Sequence, residues 1–213
     1  MPILDISPPI RETMAVWPGD TPPHREVLLD LDRGDGVTLS TLRATVHLGA
    51  HADAPSHYGH DSPTIDLRDL SLYVGLCQVA HVAVERGGLV CPEHLREPIA
   101  APRLLLRTDT FPDPDRFAED FAAISTEFVE HCAARGVRLI GIDTPSVDPF
   151  SSKDLPAHQA FLRHDMAILE GLVLSGIAEG LYELIALPLR LVGFDASPVR
   201  AVLRTLDERE ARP

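Results

Sequence analysis

The chain has 213 residues, of which 45% are hydrophobic and 24% charged, a composition typical of an ordinary soluble globular protein that predicts one domain over residues 1–213. Its formal net charge of −13 would repel a polyanion, so nucleic acid binding is disfavoured. No apolar run approaches the length of a transmembrane helix, and residues 1–7 lack the basic segment of a signal peptide.

The first third of the chain alternates apolar runs with turn residues and predicts short strands. Gly34 and Gly36 lie between two runs rich in β-branched residues, which is typical of a hairpin or a meander. The predicted strands are residues 3–7, 27–31 and 37–46. The last of them leads directly to His47.

Ligand-type side chains are dense in residues 47–58. Four of them occupy odd positions, so an extended backbone would turn them to one face: His47, His51, Asp53 and His57. Gly49 and Pro55 oppose a continuous helix, and we predict a strand end that runs into an irregular loop. Imidazole nitrogen and carboxylate oxygen suit zinc, with manganese or iron as alternatives. Scattered structural histidines are the competing interpretation, but so dense a set beside small alanines favours a metal site.

The middle of the chain predicts an α/β arrangement. Residues 117–135 have an amphipathic pattern that predicts a helix, and Gly136 is a C-terminal stop signal. The continuous apolar run that follows predicts a buried strand, and a helix before a buried strand is typical of an α/β unit. The predicted strands here are residues 77–84, 103–108 and 137–142. His60 and Asp61 are expected to be solvated loop residues rather than groups that orient a ligand.

A second pair of ligand-type residues lies far along the chain. Pro156 predicts the start of a helix that contains His158. One helix through both residues would set Glu170 about 18 Å beyond His158 along its axis, and the two would not share a site. The pattern changes from helical to alternating near His164, which predicts a turn and an extended return. Spacing alone does not single out either residue as a ligand.

The last part of the chain predicts strands at residues 172–174 and 182–192, and then a turn and a short helix at residues 195–204. The three cysteines, Cys77, Cys91 and Cys132, show no metal-binding spacing and cannot all be bridged. We therefore expect buried structural thiols and a reducing, cytoplasmic location.

The series His47-x-Gly49-x-His51-x-Asp53-x-Pro55-x-His57 resembles the signature of the metal-dependent cyclase/hydrolase family. The resemblance covers nearly the whole chain, with further blocks at residues 16–22, 157–159, 167–171, 182–189 and 195–200. Residues 17–20 and 51–55 resemble more narrowly the formamidase branch of that family. The resemblance implies an α/β fold in one domain, with a mixed β-sheet core and flanking helices (the cyclase-like swivelling β/α fold). It also implies a homodimer.

The resemblance further implies roles for individual residues. His47, His51 and Asp53 would bind a first zinc ion. Asp53 and Glu170 would bridge to a second zinc ion, and His158 would complete the ligands of that second ion. His57 would be the acid/base residue. Trp17, the single tryptophan, would line the substrate pocket, whereas core filling is the usual role of a lone tryptophan.

The activity that the resemblance implies is hydrolysis of N-formyl-L-kynurenine to L-kynurenine and formate by metal-activated water, a step of tryptophan degradation. The chain has no Gly-x-Ser-x-Gly segment, so a covalent serine mechanism is disfavoured. A related hydrolase acting on another aryl or cyclic amide, such as isatin, is one alternative. A non-catalytic metal-binding protein is another, although His57 would then be a base beyond a sufficient ligand set.

Overall fold

The computed structural model describes residues 2–206 and arranges them around one nine-stranded sheet, with two small two-stranded sheets outside it. The strands are β1 (Ile3–Asp5), β2 (His24–Leu29), β3 (Leu39–Arg43), β4 (His51–Asp53), β5 (Val74–His81), β6 (Leu89–Val90), β7 (Arg103–Arg107), β8 (Ala123–Ile124), β9 (Leu139–Ile142), β10 (Ala167–Glu170), β11 (Gly180–Ile185), β12 (Ala196–Pro198) and β13 (Val202–Thr205). Within the described residues the α-helices are α1 (Thr126–Ala133) and α2 (Pro156–Arg163). Single 3-10 turns occupy Leu31–Arg33, Pro55–His57, Ile65–Leu67, Leu70–Leu72 and Pro92–His94.

The large sheet is mixed, in the order β1-β13-β11-β5-β7-β9-β10-β4-β12. Its central strands β5, β7, β9 and β10 run parallel, and the flanking strands pair antiparallel. All four residues of β9 are buried, because a central parallel strand is covered on both faces. A mixed sheet with packed helices confirms the predicted α/β fold class.

Two apolar clusters cover the opposite faces of this sheet. Along β7, Leu105 belongs to one cluster and its neighbours Leu104 and Leu106 to the other, as alternation along a strand requires. The second cluster also contains Phe128 of α1 and Phe161 of α2. Both helices therefore pack on the same face of the sheet.

The predicted helix over residues 117–135 is correct only in its second half. α1 begins after Ser125, whose Oγ accepts the backbone N–H of Phe128 at 3.1 Å and so caps the helix. Before this cap the backbone forms hydrogen bonds with another segment: the N–H of Ala123 donates to the carbonyl of Gly88 at 3.0 Å. Extended pairing of β8 with β6 excludes these residues from the helix.

Several other predicted elements are confirmed. β1 and β7 lie within the strands predicted at residues 3–7 and 103–108. β2 pairs antiparallel with β3, which is the hairpin among the two predicted alternatives. α2 begins at Pro156 as expected. The chain then reverses at Asp165, which has a positive φ of 50°, before it extends into β10.

Three C-terminal predictions need correction. Residues 172–174 form no strand: a single backbone bond joins the N–H of Val173 to the carbonyl of Ile6, and the chain turns directly afterwards at residues 175–176. The strand predicted at residues 182–192 ends at Ile185 as β11. The turn and helix predicted at residues 195–204 are instead the strands β12 and β13, whose backbones pair with β4 and with β11 and β1.

Two of the three thiols are buried as expected. Burial raises the pKa of Cys77 and the pKa of Cys132 to about 12 each, whereas Cys91 is half-buried. All three cysteines are free. Among residues 2–206, no helix combines the length and the apolar character that crossing a bilayer requires.

Candidate active site and metal centre

Strand pairing brings the two distant parts of the predicted site together. β4 lies between β10 and β12, with His51 directly opposite Glu170 and Asp53 directly opposite Ile168. Side chains directly opposite each other in a sheet point to the same face. His51, Asp53 and Glu170 therefore project to one side, although more than a hundred residues separate the strands.

Two glycines let the backbone approach closely beside this pairing. Gly171 follows Glu170 with a positive φ of 64°, and a Cβ there would lie 2.2 Å from the carbonyl oxygen of Gly49. Gly49 also has a positive φ, of 56°. The turn at Gly49 brings His47 back over the strand, where its Nδ1 lies 3.1 Å from Oδ1 of Asp53.

The first turn of α2 positions His158. The buried carboxylate of Asp148 accepts hydrogen bonds from the backbone N–H groups of Ala157 (2.9 Å) and His158 (3.0 Å). The start of a helix is a favourable place for such an anion. The same carboxylate accepts a hydrogen bond from Nδ1 of the His158 ring at 2.7 Å. With Nδ1 held, Nε2 is left to face Oδ2 of Asp53 at 3.4 Å and Oε1 of Glu170 at 3.7 Å.

Each of the two carboxylates spans the cluster. Asp53 directs Oδ1 toward His47 and His51 (3.1 and 3.5 Å) and Oδ2 toward His158 (3.4 Å). Glu170 directs Oε2 toward His51 at 3.3 Å and Oε1 toward His158 at 3.7 Å. The arrangement has two halves that share both carboxylates.

Two atoms of this cluster show directly that the residues fit a metal. Nδ1 of His51 donates to the carbonyl of Gly49 at 2.9 Å, so Nε2 is the ring nitrogen that is left to bind a metal. Within residues 2–206, Nε2 of His51 and Oδ1 of Asp53 are buried and form no hydrogen bond of good geometry, although charged neighbours lie 3.1–3.5 Å from them. Leaving a buried polar atom unsatisfied costs about 1–3 kcal/mol, and a cation between these atoms would satisfy both.

The electrostatics of the cluster couple cation binding to proton release. Burial would raise the pKa of Asp53, but hydrogen bonds and charges of the surrounding imidazoles hold it well below its usual value. Burial would lower the pKa of His47, yet Asp53 and Asp195 raise it to about 9. The pKa of His158 is likewise raised against burial, to about 10, by Asp148 and Asp53. The imidazoles of His47 and His158 therefore hold protons that a cation would have to displace.

His57 lies at the open edge of the cluster. It ends the 3-10 turn Pro55–His57, is more exposed than the other site histidines, and has its ring centroid 4.2 Å from that of His47. Oδ2 of Asp195 lies 3.5 Å from Nδ1 of His57 and accepts Nε2 of His47 at 3.1 Å. This leaves Nε2 of His57 available to a molecule in the adjoining cavity.

A cavity of about 760 Å³ adjoins the cluster. Trp17 lines it and packs against Phe117 and Phe150, with ring centroids 5.5 and 5.0 Å away. Trp17 thus joins an aromatic cluster and also forms part of the cavity wall. A cavity with an aromatic wall and a polar end suits a flat ligand with one polar group.

Sequence reasoning missed two functional candidates, Asp148 and Asp195. Asp148 contacts a side chain ten positions away, and Asp195 contacts His47 at a separation of 148 residues. No local spacing pattern relates such residues. Conversely, His60 and Asp61 are exposed and pair with each other at 2.8 Å, as expected for solvated loop residues.

Comparison with known protein families and structures is consistent with this geometry. Residues 4–149 match the family model described as "Putative cyclase". The curated relative "Kynurenine formamidase" of Bordetella petrii is 48% identical over 206 residues, which cover 96% of this chain and 98% of that protein.

Solved structures match over similar lengths. "The Structure Of Potential Metal-Dependent Hydrolase With Cyclase Activity" aligns with a TM-score of 0.81 and 26% identity, covering 95% of this chain and 96% of that one. An isatin hydrolase bound to the product analogue thioisatinate aligns with a TM-score of 0.82 and 17% identity, covering 94% of this chain and 91% of that one. At that identity the second likeness shows the fold alone.

Proposed function

The chain belongs to the cyclase family, and from that premise we propose that it hydrolyses N-formyl-L-kynurenine to L-kynurenine and formate, as a metal-dependent amidohydrolase of tryptophan degradation. The observation that carries the proposal is the buried cluster of imidazoles and carboxylates beside an aromatic-walled cavity. The curated relative with nearly full mutual coverage is itself named for this activity.

We assign the metal-binding role to five side chains. His47, His51 and Asp53 would hold one ion and His158 a second, with Asp53 and Glu170 reaching both. Zinc is the metal that this donor set suits best, and two ions per chain fit the two halves of the cluster. Bound zinc would acidify water and polarise the formyl carbonyl.

We assign proton transfer to His57. Its free Nε2 takes a proton from the attacking water as the water oxygen bonds to the formyl carbon. When the carbon–nitrogen bond breaks, the same proton passes from His57 to the anilide nitrogen, which leaves as an amine. Imidazole suits both steps because it exchanges protons near neutral pH, and such catalysis contributes about 10²–10⁴-fold. Asp195 orients the ring through Nδ1.

We assign substrate orientation to the cavity wall. The indole of Trp17 offers a flat face to the aminophenyl ring of the substrate, and offset or edge contacts between aromatic rings contribute about 0.5–1.5 kcal/mol beyond their burial. The aromatic contacts behind Trp17 keep its face in place. This wall favours aryl over alkyl formamides.

We further propose that residues 1–213 act as one cytoplasmic hydrolase domain that assembles as a homodimer. The hairpin of β2 and β3 exposes large apolar side chains that a second copy would bury: Leu28, Leu31, Leu39 and Leu42. Light scattering after size-exclusion chromatography tests the assembly. A monomer at micromolar concentration would overturn it.

One experiment tests the activity. The metal-free protein is purified, zinc is added back, and deformylation of N-formyl-L-kynurenine is followed beside hydrolysis of isatin. We expect activity only with metal, and a higher kcat/KM for the formamide. Faster turnover of isatin would assign the chain to the other branch, and no turnover of either by the zinc-loaded protein would indicate a non-catalytic metal-binding role.

A further inference from the structure

We propose that Asp143 and Lys153 form a subsite for the amino-acid end of the substrate, in which Asp143 binds the α-ammonium group and Lys153 the α-carboxylate. The inference rests on the proposed function and deepens it. It names the residues that would distinguish aryl formamides whose side chain ends in a free α-amino acid from aryl formamides in general.

Asp143 is a cavity-lining residue whose carboxylate forms no ion pair within the described part of the chain. It is 7% exposed and lines the cavity. Its oxygens accept the backbone N–H groups of Thr108 and Asp109 at 2.9–3.0 Å and the Thr108 hydroxyl at 2.7 Å. Among residues 2–206, no Lys, Arg or His nitrogen lies within ion-pair distance of it. The nearby guanidinium of Arg107 is instead paired with Asp109 at 2.8 Å.

Hydrogen bonds therefore fix the Asp143 carboxylate in position, and its attraction to Arg107 acts over a longer distance than an ion pair. Burial raises the pKa of this carboxyl group despite the hydrogen bonds from Thr108 and Asp109. A buried carboxylate usually has a cationic partner, because its isolation from water is costly. An ammonium group that enters through the cavity would supply that partner.

Strand order places Asp143 at the same end of the sheet as Glu170 of the proposed metal centre. It directly follows β9, which is the neighbour of β10, and Glu170 ends β10. The N–H of Gly171 donates to the carbonyl of Thr144 at 2.8 Å, so the two strand ends stay paired past the sheet. Because β9 and β10 run parallel, Asp143 and Glu170 follow or end their strands at the same end of the sheet, where adjacent strands lie about 4.8 Å apart.

Lys153 supplies the complementary charge. It is the only lysine in the chain, it is exposed, and it lines the same cavity in the segment that leads into α2. Among residues 2–206 it forms no ion pair. The other basic groups on the cavity wall are the site histidines, whereas five carboxylates line it: Asp20, Asp109, Asp143, Glu170 and Asp195. Lys153 is thus the one permanent cation among the described lining residues that can meet an incoming carboxylate.

The test compares three formamides with the zinc-loaded protein: N-formyl-L-kynurenine, the same compound without its α-amino group, and the same compound without its carboxylate. For the wild type we expect kcat/KM to fall on the order of 10–100-fold without the amino group, because a hydrogen-bonded charge partner is lost. Loss of the carboxylate is expected to lower it about threefold to fivefold, as for an exposed ion pair.

Two variants then assign each selectivity to its residue. Asp143→Asn should abolish the preference for the amino group and keep the preference for the carboxylate, and Lys153→Met should do the reverse. Asp20→Asn is the matched control, since it removes an exposed carboxylate of the same cavity and should change neither ratio. Metal content by elemental analysis and the melting temperature show whether each variant is folded and loaded.

Three results would overturn the inference. A wild type that cleaves all three formamides equally well needs no such subsite, and this result does not depend on whether a variant folds. An Asp143→Asn protein that loses rate equally on all three compounds shows a purely structural carboxylate. If the Lys153→Met protein kept its preference for the carboxylate, Lys153 would not belong to the subsite. Failure of the proposed function is distinct, since the wild type would then cleave none of the formamides.

Discussion

Glu170 lies directly opposite His51 across β10 and β4, and its Oε2 is 3.3 Å from Nε2 of His51. A three-residue strand thus faces a four-residue strand that begins more than a hundred residues later. The backbone ladder, rather than either side chain, sets the distance between the two proposed ligands.

Because Glu170 reaches both halves of the cluster, we expect Glu170→Gln to weaken zinc binding by more than the roughly 10–100-fold that loss of a supporting partner costs. Elemental analysis after dialysis against a weak chelator measures this. Glu127→Gln, on the exposed side of α1, is the matched control. Unchanged stoichiometry and affinity would remove Glu170 from the metal centre.

His57→Ala should keep its metal and lose about 10²–10⁴-fold in kcat, because proton transfer is lost and the five proposed ligands remain. His60→Ala removes an exposed imidazole three residues further on and should leave the rate as in the wild type. If a zinc-loaded His57→Ala protein turned over at the wild-type rate, proton transfer would have to be assigned to another group.

Asp148→Asn should lower zinc affinity by about 10–100-fold and also lower the melting temperature. The change weakens the hold on Nδ1 of His158 and removes an anion at the start of α2. Asp154→Asn, an exposed change just before α2, controls for charge alone. Zinc titration and calorimetry measure the affinity and the melting temperature of both variants. Equal values for Asp148→Asn and Asp154→Asn would contradict the role of Asp148.

Metal binding should release protons. In the metal-free protein the pKa of His47 is about 9 and that of His158 about 10, so both imidazoles are protonated at pH 7.5. Zinc affinity should therefore rise with pH up to about 9–10. Calorimetric titration in buffers of different ionisation enthalpy counts the released protons, and a count of zero would contradict the raised pKa values.

The same two histidines link the stability of the metal-free protein to pH. Their folded-state pKa values lie above the unfolded value of about 6.5, so the folded state binds the extra protons. Their stabilising contribution is complete below about pH 6.5 and is lost as the pH rises through 9–10. Denaturant melts of the metal-free protein between pH 6 and pH 10 should show this decline.

Thiol reactivity should separate the three cysteines. Burial raises the pKa of Cys77 and of Cys132 to about 12, so neither forms a thiolate at pH 8 in the folded state. Cys91 is half-buried and should react first. Mass spectrometry after brief alkylation checks this, with the denatured protein as the control that reacts at all three sites.

The sequence alone determined the parts of this protein that depend on neighbouring residues. The dense run from His47 to His57 indicates a metal site because its ligand-type side chains, and the glycine and proline that exclude a helix, all lie within a few residues of one another. The start of α2 and the turn before β10 were also predictable, since helix signals and alternation operate over a few residues.

Only the tertiary structure decided which distant groups meet. The helix predicted from residue 117 is shortened because the backbone before Ser125 pairs with other segments, and the predicted C-terminal helix is replaced by strands that pair with β4, β11 and β1. Asp148 and Asp195 take their roles from partners that no local spacing reveals. Strand order is set by the free energy of the whole packed sheet, so contacts across it cannot be read from any short stretch of the chain.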